Sequence, residues 1–197
     1  MSKAIIPMLI YMSVMSITPG PNNLMCLFLG AKFGLRGIKN FVCTSMLVLF
    51  LKSLLCGFLN VVLAQKIPVV VPYLKWVGAA YMLYLAYSIF KSGISNEQLV
   101  KGESGDASAK SGLLLQTLNI KSWIAALSIF SVYVIPYTTS AFAIVGASFA
   151  FFFLASVASV IWCCCGAAIH KIYDNHKLPI CIILALSLAV CAVTAVL

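Results

Sequence analysis

The sequence predicts an all-α integral membrane protein with six transmembrane helices. Of its 197 residues, 63% are hydrophobic and only 9% are charged, whereas a soluble domain carries about 25% charged residues. The mean hydropathy is +1.09. Backbone groups in lipid need internal hydrogen-bond partners, and the apolar stretches lack the alternation of a β-barrel. Helical spans are therefore expected.

Six apolar segments are long enough to cross a bilayer core of about 30 Å, which takes about 20 helical residues. They cover 4–30, 41–64, 73–90, 113–134, 140–168 and 178–197. The proline-containing stretch 65–72 is expected to connect the second and third spans. The polar stretch 91–112 is rich in Gly and Ser and predicts a flexible linker. It would divide a single transmembrane domain, 1–197, into halves 1–90 and 113–197, and three spans in each half would make any internal repeat an inverted one.

The basic residues predict the orientation. Most of the 13 Lys and Arg residues fall in the first, third and fifth connections, which the positive-inside rule assigns to the cytoplasm. Both termini are then expected outside it. The net charge of +9 is explained in this way, and without a basic, aromatic-interleaved face no nucleic-acid partner is expected. Lys3 and the apolar run after it resemble a signal peptide, but no A-x-A-like site follows, so we expect the segment in the mature protein.

The first span contains the helix-breaking stretch "TPGPNN", residues 18–23. Pro19 and Pro21 lack an N–H, so the carbonyls of Met15 and Ile17 lose their helical partners. Thr18 and Gly20 precede prolines and are disfavoured in a helix. The span is therefore expected to break at 18–21 and to restart with Pro21 at its first helical position.

A helix that restarts inside the membrane offers an anion site, because its first N–H groups are free and its dipole is positive there. Asn22 and Asn23 add uncharged donors and acceptors. The freed carbonyls near Met15 and Ile17 are acceptors that suit an ammonium. The complementary ends predict a site for a zwitterion such as an amino acid, formed by 19–23. The alternative is a merely structural kink, since Pro is common in membrane helices.

Lys52 lies at the centre of the second predicted span, in "VLFLKSLLCG". A lysine at mid-bilayer is costly, by about 2.5–3.5 kcal/mol on insertion scales. Either its side chain faces the protein interior or a water-filled cavity, or the helix is shifted and the side chain extends to one interface.

The fourth span adds Gln116, Asn119 and Lys121. Gln116 and Asn119 share a helix face, since they are three residues apart. Lys121 is a candidate second positive charge for a carboxylate. The alternative is that Lys121 and Trp123 anchor this end of the span at the interface.

The third span places Tyr81, Tyr84 and Tyr87 along one side. Their hydroxyls either line a polar pathway, with Tyr84 as a site residue, or belong to packing aromatics. In the fifth span small residues recur every fourth position and predict a helix-packing face. This small-residue face comprises Ala155, Ser159, Cys163 and Ala167.

Several kinds of site are absent from the sequence. None of the four acidic residues lies within a predicted span, so the usual carboxylate proton relay is missing. No P-loop, metalloprotease His pair or GxSxG elbow occurs. The eight cysteines lie in apolar stretches without zinc-site spacing, which favours small buried hydrophobes. We expect neither an enzyme nor a bound cofactor or metal.

Three motifs resemble the LysE/RhtB family of small amino-acid exporters: "TPGPNN", "LKWVGAAYMLYLAY" (74–87) and "LNIKSW" (118–123). The resemblance covers essentially the whole chain and is greatest to the branch that exports cysteine and O-acetylserine. It implies export of a small neutral amino acid across the inner membrane, driven by an ion gradient. The family often has Asn-Pro-Lys where this chain has Asn119, Ile120 and Lys121, and the missing proline removes the expectation of a second break.

These patterns support one principal hypothesis and two alternatives. In the first, the substrate carboxylate binds the N–H groups near Asn22 and Asn23 with help from Lys121, and the carbonyls near Met15 to Ile17, with Asn or Tyr oxygens, hold its ammonium. The alternatives are a non-transporting scaffold subunit that binds a partner through the small-residue face, and a passive pore. A homo-oligomer is plausible for so small a bundle.

Overall fold

The computed structural model describes residues 2–35, 38–94, 106–173 and 175–196. Across these residues the regular structure is helical. The helices are α1 (Ser2–Ile17), α2 (Pro21–Phe33), α3 (Lys39–Phe58), α4 (Asn60–Ile94), α5 (Asp106–Leu118), α6 (Ile120–Ser128), α7 (Ala141–Ala168), α8 (His170–Tyr173) and α9 (Lys177–Val196). A π-helical segment, Ile129–Val134, continues α6.

The helices confirm the predicted all-α membrane class. Among the described residues, α3, α7 and α9 are each long and apolar enough to cross a bilayer. Two bent pairs, α1–α2 and α5–α6 with its π-helical continuation, also qualify, which gives up to five spans by this criterion. The third predicted span, 73–90, lies within α4.

Two predicted connections differ from the structure. The stretch 65–72 is helical, because α3 ends at Phe58 and α4 begins at Asn60 and continues to Ile94. Prolines are tolerated inside membrane helices, so those at 68 and 72 did not mark a loop. The predicted linker 91–112 is helical at 91–94 and 106–112, while 95–105 lies outside the described residues.

Close backbone contact joins α2 to α7. A Cβ added at Gly30 would lie 2.6 Å from the Cys163 carbonyl oxygen, and one at Gly166 would overlap the Leu27 carbonyl oxygen. Ser159 and Cys163 are buried on the same side of α7. The predicted small-residue face is thus a packing face within the chain, as expected for small residues in membranes.

The other helices complete a bundle around the two bent pairs. α4 packs mainly on α9, and α3 packs on α5 and α7. One apolar cluster contains residues of α2, α4 and α9, including Phe28, Ile89 and Leu188. A second contains residues of α1, α3, α6 and α7, including Met12 and Phe130. Both bent pairs are therefore held by neighbouring helices.

Candidate functional site

The first break confirms the expectation from "TPGPNN". α1 ends at Ile17, α2 begins at Pro21, and the two helices meet at an angle of 48°. Gly20 precedes α2 with extended dihedral angles, φ −162° and ψ 173°. Pro21 takes the first helical position, where its missing N–H leaves no bond unmade.

The carbonyls freed at the end of α1 are bound by the protein itself. Asn23 Nδ2 donates to Ser16 O at 2.8 Å and to Thr18 O at 3.0 Å. Trp162 Nε1 donates to Ile17 O at 3.1 Å. Side chains from α2 and α7 thus already bind two of the carbonyls that were expected to hold the substrate's ammonium, and that expectation stays a prediction.

Lys121 also forms hydrogen bonds at this break, both of them with Thr18. Its Nζ donates to Thr18 O at 2.8 Å and to Thr18 Oγ1 at 2.7 Å. The positive charge lies at the carbonyl end of α1, where a helix dipole is negative. A Cβ on Gly20 would lie 3.1 Å from Lys121 Cδ and 3.3 Å from Nζ. The glycine therefore allows the lysine to pass close to the backbone.

The start of α2 keeps donors and acceptors available. Its first internal hydrogen bond runs from Leu24 N–H to Gly20 O at 2.9 Å, so the N–H groups of Asn22 and Asn23 precede the helical ladder. Asn22 Nδ2 donates to Ser159 Oγ at 3.3 Å. In the described part of the chain, Asn22 Oδ1 and Ser16 Oγ are buried without a hydrogen-bond partner. A buried polar atom is normally paired, so these two oxygens mark a place for a donor.

A second break lies at Asn119, where the sequence gave no reason to expect one. α5 ends at Leu118, α6 begins at Ile120, and the bend is 57°. Asn119 has extended dihedral angles, and its Oδ1 accepts the Ser122 N–H at 3.4 Å. Asn119 caps the new helix, so the chain breaks here although Ile120 stands where the family motif has a proline. The expectation drawn from Ile120 is therefore wrong.

Lys52 points into the protein at this second break. Only 4% of the residue is exposed, and its Nζ donates to Gln116 O and, at 2.7 Å, to Ser122 Oγ. The ammonium also lies 4.8 Å from the centre of the Trp123 ring, which adds a cation–π contact. The interior alternative is thus confirmed. Each break has a lysine at its carbonyl end, Lys121 at the first and Lys52 at the second.

One cavity of about 50 Å³ lies between the two breaks, and we call it the break cavity. Six predicted site residues line it. They are Gly20, Asn22, Asn23, Gln116, Asn119 and Lys121. Lys52 forms hydrogen bonds with two residues that line this cavity, Gln116 and Ser122. Pro19 and Pro21 line a neighbouring cavity instead.

Tyr84 is not among the residues that line the break cavity. The residue is 62% exposed on the outside of the bundle, where its ring stacks on Tyr81 at a centroid distance of 6.2 Å. Tyr87 is 63% exposed. The spacing of three correctly placed these residues on one side of the helix, but that side faces outward. The packing alternative holds for Tyr84.

The break cavity is also lined by side chains that were not predicted to belong to the site. Ser16, Ser122 and Ser159 supply hydroxyls, and the apolar wall includes Met15, Met46, Leu49 and Phe151. The three serines lie inside apolar spans, and a serine in such a span is the sequence signal that could have indicated them as site residues. The apolar residues have no such signal, because every span is rich in them.

Comparison with known proteins decides the family. The family model for the LysE type translocator matches residues 13–195. The chain belongs to the LysE type translocator family. Relatives include cysteine/O-acetylserine efflux proteins of Escherichia coli K12 and of Shigella sonnei, each 28% identical over 183 residues, covering 93% of this chain and 92% of the relative. No solved structure matches significantly. The LysE-family chain is thus a multi-pass membrane transporter and not an enzyme.

Proposed function

We propose that the protein exports a small neutral amino acid, of the cysteine or O-acetylserine type, across the inner membrane. The observation that carries this proposal is the break cavity, where the free start of α2, a lysine and two unpaired oxygens meet. The function of the relatives named above, cysteine/O-acetylserine efflux, supports the direction and the substrate class.

In the proposed binding mode, the substrate carboxylate accepts from the N–H groups of Asn22 and Asn23. The Lys121 ammonium turns from Thr18 towards the same carboxylate, since an anion is a stronger acceptor than a carbonyl or hydroxyl. The substrate ammonium donates to Asn22 Oδ1 and Ser16 Oγ, which lack partners within the described structure. This replaces the α1 carbonyls of the sequence hypothesis with two side-chain oxygens.

The size and charge of the break cavity favour small neutral substrates. A bound water molecule needs about 10–15 Å³ of cavity volume, so the break cavity has room for about three to five water molecules. Among the described residues that line it none is acidic, and Lys121 is one of them. A lysine or arginine side chain would meet a like charge without a carboxylate partner. Met46, Leu49 and Phe151 suit a thiol or an acetyl group instead.

The membrane setting completes the proposal. The proposal includes location in the inner membrane, both termini outside the cytoplasm and coupling to an ion gradient. The basic first, third and fifth connections and the family support it. Association into a homo-oligomer is a further expectation, which the mass of the purified protein in detergent would test.

The scaffold alternative has lost its supporting observation. The small-residue face of α7 that would bind a partner is packed against α2. A passive pore differs from an exporter in a measurable way, because its flux never builds a concentration gradient.

The test is the amino-acid content of the medium, measured by mass spectrometry, for cells that overproduce the protein or lack it. Cysteine or O-acetylserine should accumulate outside the overproducing cells. Cells with equal membrane levels of Asn22→Ala or Lys121→Ala should resemble cells that lack the protein. Accumulation of a different amino acid would overturn the substrate, and unimpaired export by both variants would overturn the site.

A further inference from the structure

A larger cavity of about 350 Å³ lies beside the break cavity, and we call it the vestibule. Residues of the first break, α4, α6 and α9 surround it. Its lining includes Lys75, Met82, Lys121, Ile124, Cys191 and Thr194. Thr194 is close to the end of α9 at Val196, so the vestibule lies towards the membrane face at which α9 ends.

Lys121 lies at the boundary between the two cavities. Its side chain lines both of them, and its ammonium is held by Thr18 at the first break. Met15, Gly20 and Asn119 are the other shared residues. A carboxylate on either side could therefore replace Thr18 as the acceptor for the same ammonium.

The lining of the vestibule combines two cationic side chains and two neutral polar ones, Asn119 and Thr194, with mostly apolar residues. The cationic residues are Lys75 and Lys121, and no acidic residue is among the described residues that line the vestibule. The Thr194 hydroxyl donates to Val190 O at 2.9 Å and to Cys191 O at 3.2 Å, so it offers only an acceptor to a ligand. Two ammonium groups beside apolar side chains suit a small molecule with an anionic group better than a cation.

We propose that the vestibule is a second binding site for the carboxylate of the transported amino acid, with Lys75 and Lys121 as its anion-binding groups. This proposal rests on the proposed function and adds a second binding site for the same substrate. A substrate carboxylate released from the start of α2 stays on Lys121 and passes to Lys75. The Lys121 side chain then returns to Thr18 and separates the two cavities again.

Cys191 supplies a natural reporter of this site, because it lines the vestibule and is partly exposed. The experiment uses the purified full-length protein in neutral phosphatidylcholine nanodiscs at low salt. Two thiol reagents of similar size are compared, the anionic 2-sulfonatoethyl and the cationic 2-trimethylammonioethyl methanethiosulfonate. Labelling of each cysteine is followed by peptide mass spectrometry, and the rate of each reagent with the neutral free thiol 2-mercaptoethanol is the reference.

The expected result is faster labelling of Cys191 by the anionic reagent, by about tenfold or more once each rate is divided by that of 2-mercaptoethanol, as a cleft of one charge sign produces. Lys75→Gln should lower this preference several-fold, whereas Lys110→Gln, at an exposed position on α5, should leave it unchanged. O-acetylserine, which does not consume the reagent as cysteine would, should slow the labelling of Cys191. An equal or greater rate for the cationic reagent would overturn the proposal.

Two further outcomes are told apart by the same samples. If phosphatidylglycerol in the nanodisc protects Cys191 and O-acetylserine does not, the anion bound there is a lipid phosphate and the proposal is overturned. If O-acetylserine raises the melting temperature but leaves Cys191 labelling unchanged, the vestibule proposal fails and the proposed function stands. If O-acetylserine neither raises the melting temperature nor slows the labelling of Cys191, the proposed function fails, and the proposal of a second binding site fails with it.

Discussion

The contact between α2 and α7 gives a sharp prediction, because the two glycines on α7 differ in their surroundings. A Cβ at Gly166 would overlap the Leu27 carbonyl oxygen and lie 3.0 Å from Ala31 N, and both of those are backbone atoms of α2. A Cβ at Gly146 meets nothing within 4 Å in the described structure. Gly166→Ala should therefore push the helices apart, whereas Gly146→Ala should be accommodated.

The magnitudes follow from these distances. Overpacking against backbone that cannot rotate away costs about 1–3 kcal/mol, and replacing a helical glycine by alanine returns about 0.5–1 kcal/mol. Gly166→Ala should thus lose stability on balance, while Gly146→Ala should gain about 0.5–1 kcal/mol. At about 2–4 °C per kcal/mol for a chain of this size, the two melting temperatures should differ by several degrees.

The assay is thermal unfolding of each purified variant in the same detergent, together with substrate export at matched membrane levels. Because α2 carries Asn22 and Asn23, Gly166→Ala should also lower export, and Gly146→Ala should not. A Gly166→Ala protein as stable as the Gly146→Ala protein would refute the close packing of α2 on α7.

Three further predictions concern the site. Asn22→Ala should lower export at least tenfold, about 1.4 kcal/mol, because it removes the unpaired oxygen and the Ser159 bond; wild-type flux at equal membrane levels would contradict this. Lys52→Met should lower the free energy of unfolding by about 1–3 kcal/mol, since Gln116 O loses a buried donor, and a higher melting temperature would show that burial of the charge outweighs its bonds. Tyr84→Phe should export normally, because Tyr84 faces outward, and loss of flux would return it to the site.

The sequence was informative where the chain's own chemistry fixes the local structure. Two prolines and a glycine within three positions interrupt a helix whatever surrounds them, so the break at 18–20 was predictable. The break at Asn119 was not, because it depends on a side-chain cap that competes with an ordinary helical conformation. The family proline would have indicated it, and its absence was misleading.

Long-range contacts explain what could not be predicted. Lys52 contacts Gln116 and Ser122, which lie 64 and 70 residues further along the chain. Hydropathy alone could not choose between an interior and an interfacial position for this lysine. The outward direction of Tyr84 likewise depends on which side of α4 packs on α9, and helical spacing does not contain that information.

The central claim is that a small neutral amino acid binds in the break cavity and is moved from there. Its most direct test is the efflux of radiolabelled O-acetylserine from preloaded proteoliposomes containing wild type, Asn22→Ala or Tyr84→Phe. We expect rapid efflux with wild type and Tyr84→Phe, no efflux above empty liposomes with Asn22→Ala, and no inhibition by excess lysine. Equal efflux with Asn22→Ala, or none with folded wild-type protein, would contradict the claim.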